Sequence, residues 1–258
     1  MTTNPTRLLI NLDRCPNRLA NSLNVFRSQN ISFERITAVD AQSIDPKIIQ
    51  KIKSTYNPYL PKELTPGEIA CFLSHMKCWE IIVKRGIRGA FVFEDDIALS
   101  KTGAPLLATD NWIPENVDVC QLGTWSPTPH TIKFRKILRI NNQFVITRIN
   151  TRSAVLGSQG YWISLRAAKK ALKLATKNLC GPVDNFLFDP KFDIPHSLSV
   201  WTLSPAIVFP ERAFCSTLES ERSQKEDTPV SFKNKIKIFW RKKTGKLFTK
   251  TLVRQIAK

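Results

Sequence analysis

The sequence predicts an α/β fold with a central mixed, mainly parallel sheet, and three observations predict it. A strand, a helix and a second strand follow one another over residues 7–40, the pattern of a parallel β-α-β unit. A long, well-capped helix then feeds an apolar strand that ends in acid. Further strands and helices alternate after it with no internal repeat, which favours one α/β domain.

Each element has its own signal. RLLINL (7–12) reads as a buried strand, and in CPNRLANSLNVFRSQN (15–30) Leu19, Leu23 and Phe26 fall on one face of a helix that begins near Pro16. ISFERITAVD (31–40) alternates back into a strand ending at Asp40. The polar stretch with Pro46, Pro58 and Pro61 reads as irregular or as short helices. TPGEIACFLSHMKCWEIIVKRG (65–86) is the clearest element. Thr65 is placed as N-cap, Pro66 as the first helical residue and Glu68 as the reciprocal capping-box partner. Ile69, Phe72, Met76, Trp79 and Val83 keep one helical face and Gly86 is a stop, so the helix covers 66–85 and feeds the strand GAFVFED (89–95). VDVCQLG (117–123) is a strand, and TIKFRKILRI (131–140) and QFVITRI (143–149) form a hairpin around Asn141 and Asn142. AVLGSQGYWI (154–163) is a strand, followed by a helix over 164–178 with Ser164 as its cap.

Composition sets the outer limits. With 258 residues, 42% of them hydrophobic, the chain can bury a substantial core. No segment approaches the ~20 apolar residues a bilayer-spanning helix needs. No basic segment joined to an apolar run stands near residue 1, so the folded chain is read as starting where the sequence starts. The six cysteines (15, 71, 78, 120, 180, 215) contain no C-x-x-C pair and the three histidines (75, 130, 196) no finger spacing. That spacing disfavours a zinc site, and a reducing cytoplasm fits better than export. The net charge is +18, but residues 231–258 alone carry ten Lys or Arg and no acid. The chain therefore divides into a domain over 1–230 and a basic tail over 231–258, and charge concentrated in a tail argues against a nucleic-acid-binding fold.

The chemistry gathers at strand ends. Side chains alternate along a strand, so Glu94 and Asp96 project together while Asp95 points away, toward supporting structure. Such a pair can share one divalent cation, and oxygen ligands favour Mg²⁺ or Mn²⁺. A solvated acidic turn is the alternative reading. Asn11, Asp13 and Arg14 follow the first strand and Asp40 the second, at the carboxyl edge where α/β sheets take ligands. No G-x-G-x-x-G follows the first strand, which makes a metal ion the natural holder of a diphosphate there. His75 lies beside the apolar stripe of the capped helix, next to Ser74 and one turn after Cys71. Its plain reading is a satisfied, partly buried histidine. A Cys71–His75 nucleophilic pair would need an exposed sulfur facing the ring, which this spacing does not ensure.

LLINLDRCPNR, ITAVDA, LTPGEIACFLSHMKCWEIIV, FVFEDDI, GSQGYWISLRAAKKAL and GPVDNFL occur in an order and spacing that resembles glycosyltransferase family 25 over about residues 6–210. That family includes lipooligosaccharide galactosyltransferases of Gram-negative bacteria and animal collagen galactosyltransferases. The resemblance implies a GT-A-like nucleotide-sugar-binding fold, a UDP-sugar donor, a divalent metal and inversion at the anomeric carbon. It makes Glu94 and Asp96 the metal ligands, groups Asp95 with them at the donor site, turns Asn11, Asp13, Arg14 and Asp40 toward uridine, and sets Ser74 and His75 close to the donor. Ala41, Gly160 and Phe93 stand where the family pattern suggests Gly, Ala and Leu.

An inverting transfer needs a carboxylate to take the acceptor's proton. Asp184, at a predicted helix start where the dipole favours its ionised form, is the candidate; helix capping is its structural alternative, and Asp189 and Asp193 also stand near. His196 is a candidate third metal ligand, and Ser158, Gln159 and Tyr161 are candidate sugar contacts. In the tail, Phe232, Ile236, Phe239, Trp240, Leu247, Phe248, Leu252 and Ile256 alternate with cations at about helical spacing, as interfacial helices on anionic lipid do. Together these readings suggest a metal-dependent, UDP-sugar-using galactosyltransferase with a lipooligosaccharide acceptor, peripheral on the cytoplasmic face of a bacterial inner membrane. The competing readings are a non-catalytic nucleic-acid-binding or glycan-binding protein.

Overall fold

The computed structural model describes residues 4–54, 64–124, 130–149, 156–176, 181–211 and 250–254. In chain order they form β1 (Thr6–Asn11), α1 (Pro16–Arg27), β2 (Glu34–Thr37), α2 (Pro46–Ser54), α3 (Pro66–Arg85), β3 (Gly89–Glu94), β4 (Ile97–Leu99), α4 (Pro105–Ala108), β5 (Val119–Gln121), β6 (His130–Arg139), β7 (Val145–Ile149), β8 (Gly160–Ser164), α5 (Leu165–Ala175), α6 (Val183–Phe188), α7 (Asp193–Ser197), β9 (Val200–Ser204), β10 (Val208–Pro210) and β11 (Lys250–Arg254). No described helix is long and apolar enough to cross a membrane.

Nine strands make one sheet in the order β11-β6-β7-β9-β5-β8-β3-β1-β2, and β4 and β10 make a small second one. β1 lies parallel to both β2 and β3, and β5 lies parallel to β9. The remaining pairings in the large sheet are antiparallel. Followed from β1, the strands β2, β3, β5, β6 and β9 point the same way and β7, β8 and β11 the other, so the sheet is mixed and mainly parallel in direction. This α/β architecture is consistent with a GT-A-like fold.

Alternation along β3 decides which layer each residue joins. Ala90 and Val92 pack with Leu8 and Ile10 beneath α3 and α5, in a core that includes Phe72, Trp79, Ala167, Ala168 and Ala171. Phe91 and Phe93 face the opposite layer with Leu9, Phe26 of α1 and Leu107 of α4. The small alanines of α5 allow close approach to α3, and Phe72 and Trp79 stack edge-on at 5.8 Å and are fully buried. Truncating either ring to alanine would cost about 3–5 kcal/mol.

α3 forms as its sequence dictates. Thr65 accepts from the Glu68 backbone N–H, the Glu68 carboxylate accepts from the Thr65 N–H, and Gly86 closes the helix with φ of 61°. The β6–β7 hairpin also forms as expected, its turn held by Asn141 Oδ1, which accepts from the backbone N–H groups of Gln143 and Phe144. Ser164 caps α5 by accepting from the Ala167 N–H. Other boundaries move. β2 ends at Thr37 because Asp40 turns the chain, accepting from the Gln42 N–H to start a one-turn helix over Ala41–Ser43. β8 starts only at Gly160, since the Phe93–Gly160 pair is where its ladder with β3 begins.

The tail differs most. The tail residues stand at helical spacing, yet Lys250–Arg254 form strand β11, antiparallel to β6, with Leu252 opposite Ile132. Thr251 and Val253 are β-branched and suit a strand, and the edge of β6 offers ladder partners that a helix could not use. The other tail positions lie outside the described residues, as do Cys180 and Cys215.

Candidate active site

The parallel strands β1, β2 and β3 bring their carboxyl ends to one edge, and a cavity opens there. Asn11, Arg14, Arg18, Cys71, Ser74, His75, Glu94, Asp95 and Asp96 are among its lining residues. Three elements supply them: the turn after β1 with the first turn of α1, one face of α3, and the end of β3.

β3 ends at Glu94, so alternation does not extend through all three acids: Glu94 and Asp95 turn to opposite layers, and Asp96 shares Arg18 with Asp95. Asp95 turns toward the α1 layer and is buried, with Asn11 Nδ2 donating to it at 2.6 Å and Arg18 Nη1 at 3.0 Å, while its backbone carbonyl accepts from the Ser22 hydroxyl at 3.1 Å. Burial raises its carboxyl above the ordinary range despite Asn11 and Arg18. Glu94 turns to the α3 layer, where the Ser158 hydroxyl donates to Oε1 at 2.7 Å and His75 Nε2 lies 3.4 Å from the same oxygen. Burial pushes the Glu94 carboxyl up, but His75, Ser158 and the Arg18 charge more than offset this and leave it below the usual range. Asp96 lies 3.6 Å from Arg18 Nη2, and burial together with the Glu94 charge pushes it up to about 7.

His75 is fully buried, and the hydroxyl of equally buried Tyr161 meets its Nδ1 at 2.8 Å. Trp79 Nε1 donates to the same hydroxyl at 2.9 Å. Trp79, Tyr161 and His75 thus form a chain that fixes the ring and leaves Nε2 facing Glu94 without an aligned hydrogen bond. Ser74 links α3 to the loop after β2, donating to the Ala70 carbonyl at 2.7 Å and accepting from the Val39 N–H at 2.8 Å.

Several expected positions fall elsewhere. Tyr161, expected to touch sugar, is enclosed behind His75 and positions that ring. His196, expected as a third metal ligand, lines a separate cavity with Arg135 and Arg148, and its Nε2 is 2.6 Å from the Pro190 carbonyl oxygen. Asp13 is exposed and paired with Arg35, and Asp40 accepts from Arg14 Nε at 2.6 Å; neither lines the cavity. Gln159 is buried against Gly123 and Gly157, and its backbone carbonyl accepts from the Glu94 N–H at 3.2 Å. Asp184 sits in the first turn of α6 and accepts from the Asn185 N–H; it does not line the cavity, but α6 docks on α3 through Phe186, 5.0 Å from Phe72. Asp189 is buried and already accepts from the Lys191 N–H and the Asn185 amide. The side chain of Asp193 lies outside the described residues.

Arg18 was not singled out from the sequence, although it is the cation closest to Asp95 and Asp96 among the described residues. Its signal was available: a helix starting at Pro16 directly after β1 sets its first turn, Arg18 included, at the edge where β3 ends. The donor set suits a hard divalent cation. Glu94 and Asp96 line one cavity, and burial first and the Glu94 charge second raise the Asp96 carboxyl against the pull of Arg18.

Comparison with known proteins gives first the class. Relatives include "Procollagen galactosyltransferase 1" of Danio rerio, 32% identical over 189 residues that cover 69% of this chain and 30% of the relative. A "Putative glycosyltransferase" of Haemophilus influenzae is 29% identical over 216 residues, covering 77% of this chain and 70% of the relative. The "Inactive glycosyltransferase 25 family member 3" of Mus musculus is 28% identical over 189 residues, covering 69% of this chain and 30% of the relative. The chain therefore spans about a third of the length of the animal relatives. Their shared class is glycosyltransferase. The family model for glycosyltransferase family 25 (LPS biosynthesis protein) matches residues 4–187, and the chain belongs to that family. Membership and catalysis are separate properties, since the mouse relative is named inactive.

Proposed function

We propose that the protein is an inverting, metal-dependent transferase that moves galactose from UDP-galactose to a lipooligosaccharide acceptor. The observation that carries this reading is that Glu94 and Asp96 line one cavity, together with Arg14 and Arg18, at the carboxyl edge of three parallel strands. Arg18 lies in the first turn of α1, where backbone N–H groups and the helix dipole add to its attraction for a diphosphate. Glu94 and Asp96 would hold Mn²⁺ or Mg²⁺, which when bound supplies neutralisation of the departing UDP. Ser158 and His75 keep the Glu94 carboxylate in place.

In the reaction the acceptor oxygen bonds to the anomeric carbon from the face opposite UDP, the bond from that carbon to the phosphate oxygen breaks, and UDP leaves. The acceptor's proton goes to a carboxylate, for which Asp184 in the first turn of α6 is the candidate, where the helix dipole favours its ionised form. Galactose as the sugar and lipooligosaccharide as the acceptor are supported by the family description and the name of the zebrafish relative. The ten cations of residues 231–258 would hold the protein peripherally on anionic lipid at the cytoplasmic face of an inner membrane, near such an acceptor.

Incubation with a panel of UDP-sugars and Mn²⁺ tests the reading. UDP should appear, fastest from UDP-galactose. No release from any donor, with or without a glycan acceptor, would overturn the transferase reading and leave a non-catalytic one, as the mouse relative's name states for that protein.

A further inference from the structure

Glu94 has a second set of neighbours, on the side away from Asp95. A ligand atom from each of Cys71, His75 and Glu94 lies within 4.8 Å of the other two. Cys71 and His75 are one helical turn apart on α3, and β3 delivers Glu94 against that face.

Independent of this convergence, His75 Nε2 is buried, makes no hydrogen bond, and faces Glu94 Oε1 at 3.4 Å. The other ring nitrogen is already held by Tyr161 at 2.8 Å, and an outer hydrogen bond of this kind is what orients a metal-bound imidazole. Cys71 is partly exposed and lines the cavity, which gives an ion a way in.

We propose that Cys71, His75 and Glu94 form a site for a soft divalent cation of the zinc type, with a fourth position left to water. One sulfur, one imidazole nitrogen and one carboxylate select zinc over Mg²⁺ or Mn²⁺, which prefer oxygen alone. On binding, the Cys71 thiol gives its proton to solvent, His75 carries its ring proton on Nδ1 toward Tyr161, and Nε2 meets the ion. Two anionic ligands then balance the charge of the cation. The set escapes spacing rules because its third member comes from a strand 19 residues after His75. If the transferase reading holds, the two kinds of ion compete for Glu94 and zinc inhibits; this consequence rests on that reading, whereas the site itself does not.

Cobalt(II) is the probe, because a thiolate ligand gives it a charge-transfer absorption that oxygen ligands do not. One equivalent added to the full-length, metal-free protein should produce that band. Zinc should abolish it, Cys71→Ser should remove it, and Asp96→Asn should keep it. No band, or a band that survives in folded Cys71→Ser, overturns the proposal. Should Cys71→Ser not fold, wild-type protein decides: zinc should protect Cys71 from iodoacetamide labelling, read by peptide mass spectrometry. Unchanged labelling overturns the site. A protein that gives the band but releases no UDP keeps this site and loses the transferase reading.

Discussion

Burial and the neighbouring Glu94 charge hold the Asp96 carboxyl at about 7, while Arg18 pulls it down. In the unfolded chain the same acid ionises near 3.8, so native protein keeps the proton longer. The native state therefore loses stability as pH rises from about 4 through about 7, and this group adds no further change above that. In EDTA, Asp96→Asn should gain stability over wild type at pH 8 but not at pH 4, by at most a few kcal/mol, as read by urea denaturation. An equal difference at both pH values would contradict the assignment. Tyr161→Phe tests the positioning chain: it strips a partner from both Trp79 Nε1 and His75 Nδ1 and should cost about 1–3 kcal/mol in the same assay. At this scale alternation reaches only as far as Glu94, where β3 ends, and the sequence could not say that Asp95 and Asp96 would share Arg18. It marked Tyr161 only as a sugar contact and did not join Glu94 to Cys71 and His75, because these residues meet only when β8, α3 and β3 pack.

At the scale of elements, α3 was legible end to end, since its cap, first-turn proline, apolar stripe and stop all lie within its own residues. Thr65→Ala should lower stability by about 1 kcal/mol by unpairing the Glu68 N–H. β8 was less legible. Its start is set by the partner strand, and Gly160 stands there because a Cβ would lie 2.8 Å from the Val208 side chain. Gly160→Ala should therefore cost about 1–3 kcal/mol by overpacking, measurable by thermal or urea denaturation. The resemblance alone suggested alanine at this position; the contact with β10 explains why this chain has glycine.

For the whole molecule, the order of strands and helices conveyed the α/β class. The tail's conformation was not legible, because residues 250–254 take their ladder partners from β6, more than a hundred positions earlier. Deleting residues 231–258 should abolish binding to anionic vesicles while leaving the cavity residues in place; unchanged binding in vesicle sedimentation would remove the membrane role. The central claim, that a cation held by Glu94 and Asp96 supports transfer from a UDP-sugar, is tested most directly by UDP release from UDP-galactose. Wild type in Mn²⁺ should release UDP, and EDTA, Glu94→Gln and Asp96→Asn should each reduce the rate by roughly a hundredfold or more. Release undiminished by EDTA, or retained in both variants, would contradict it.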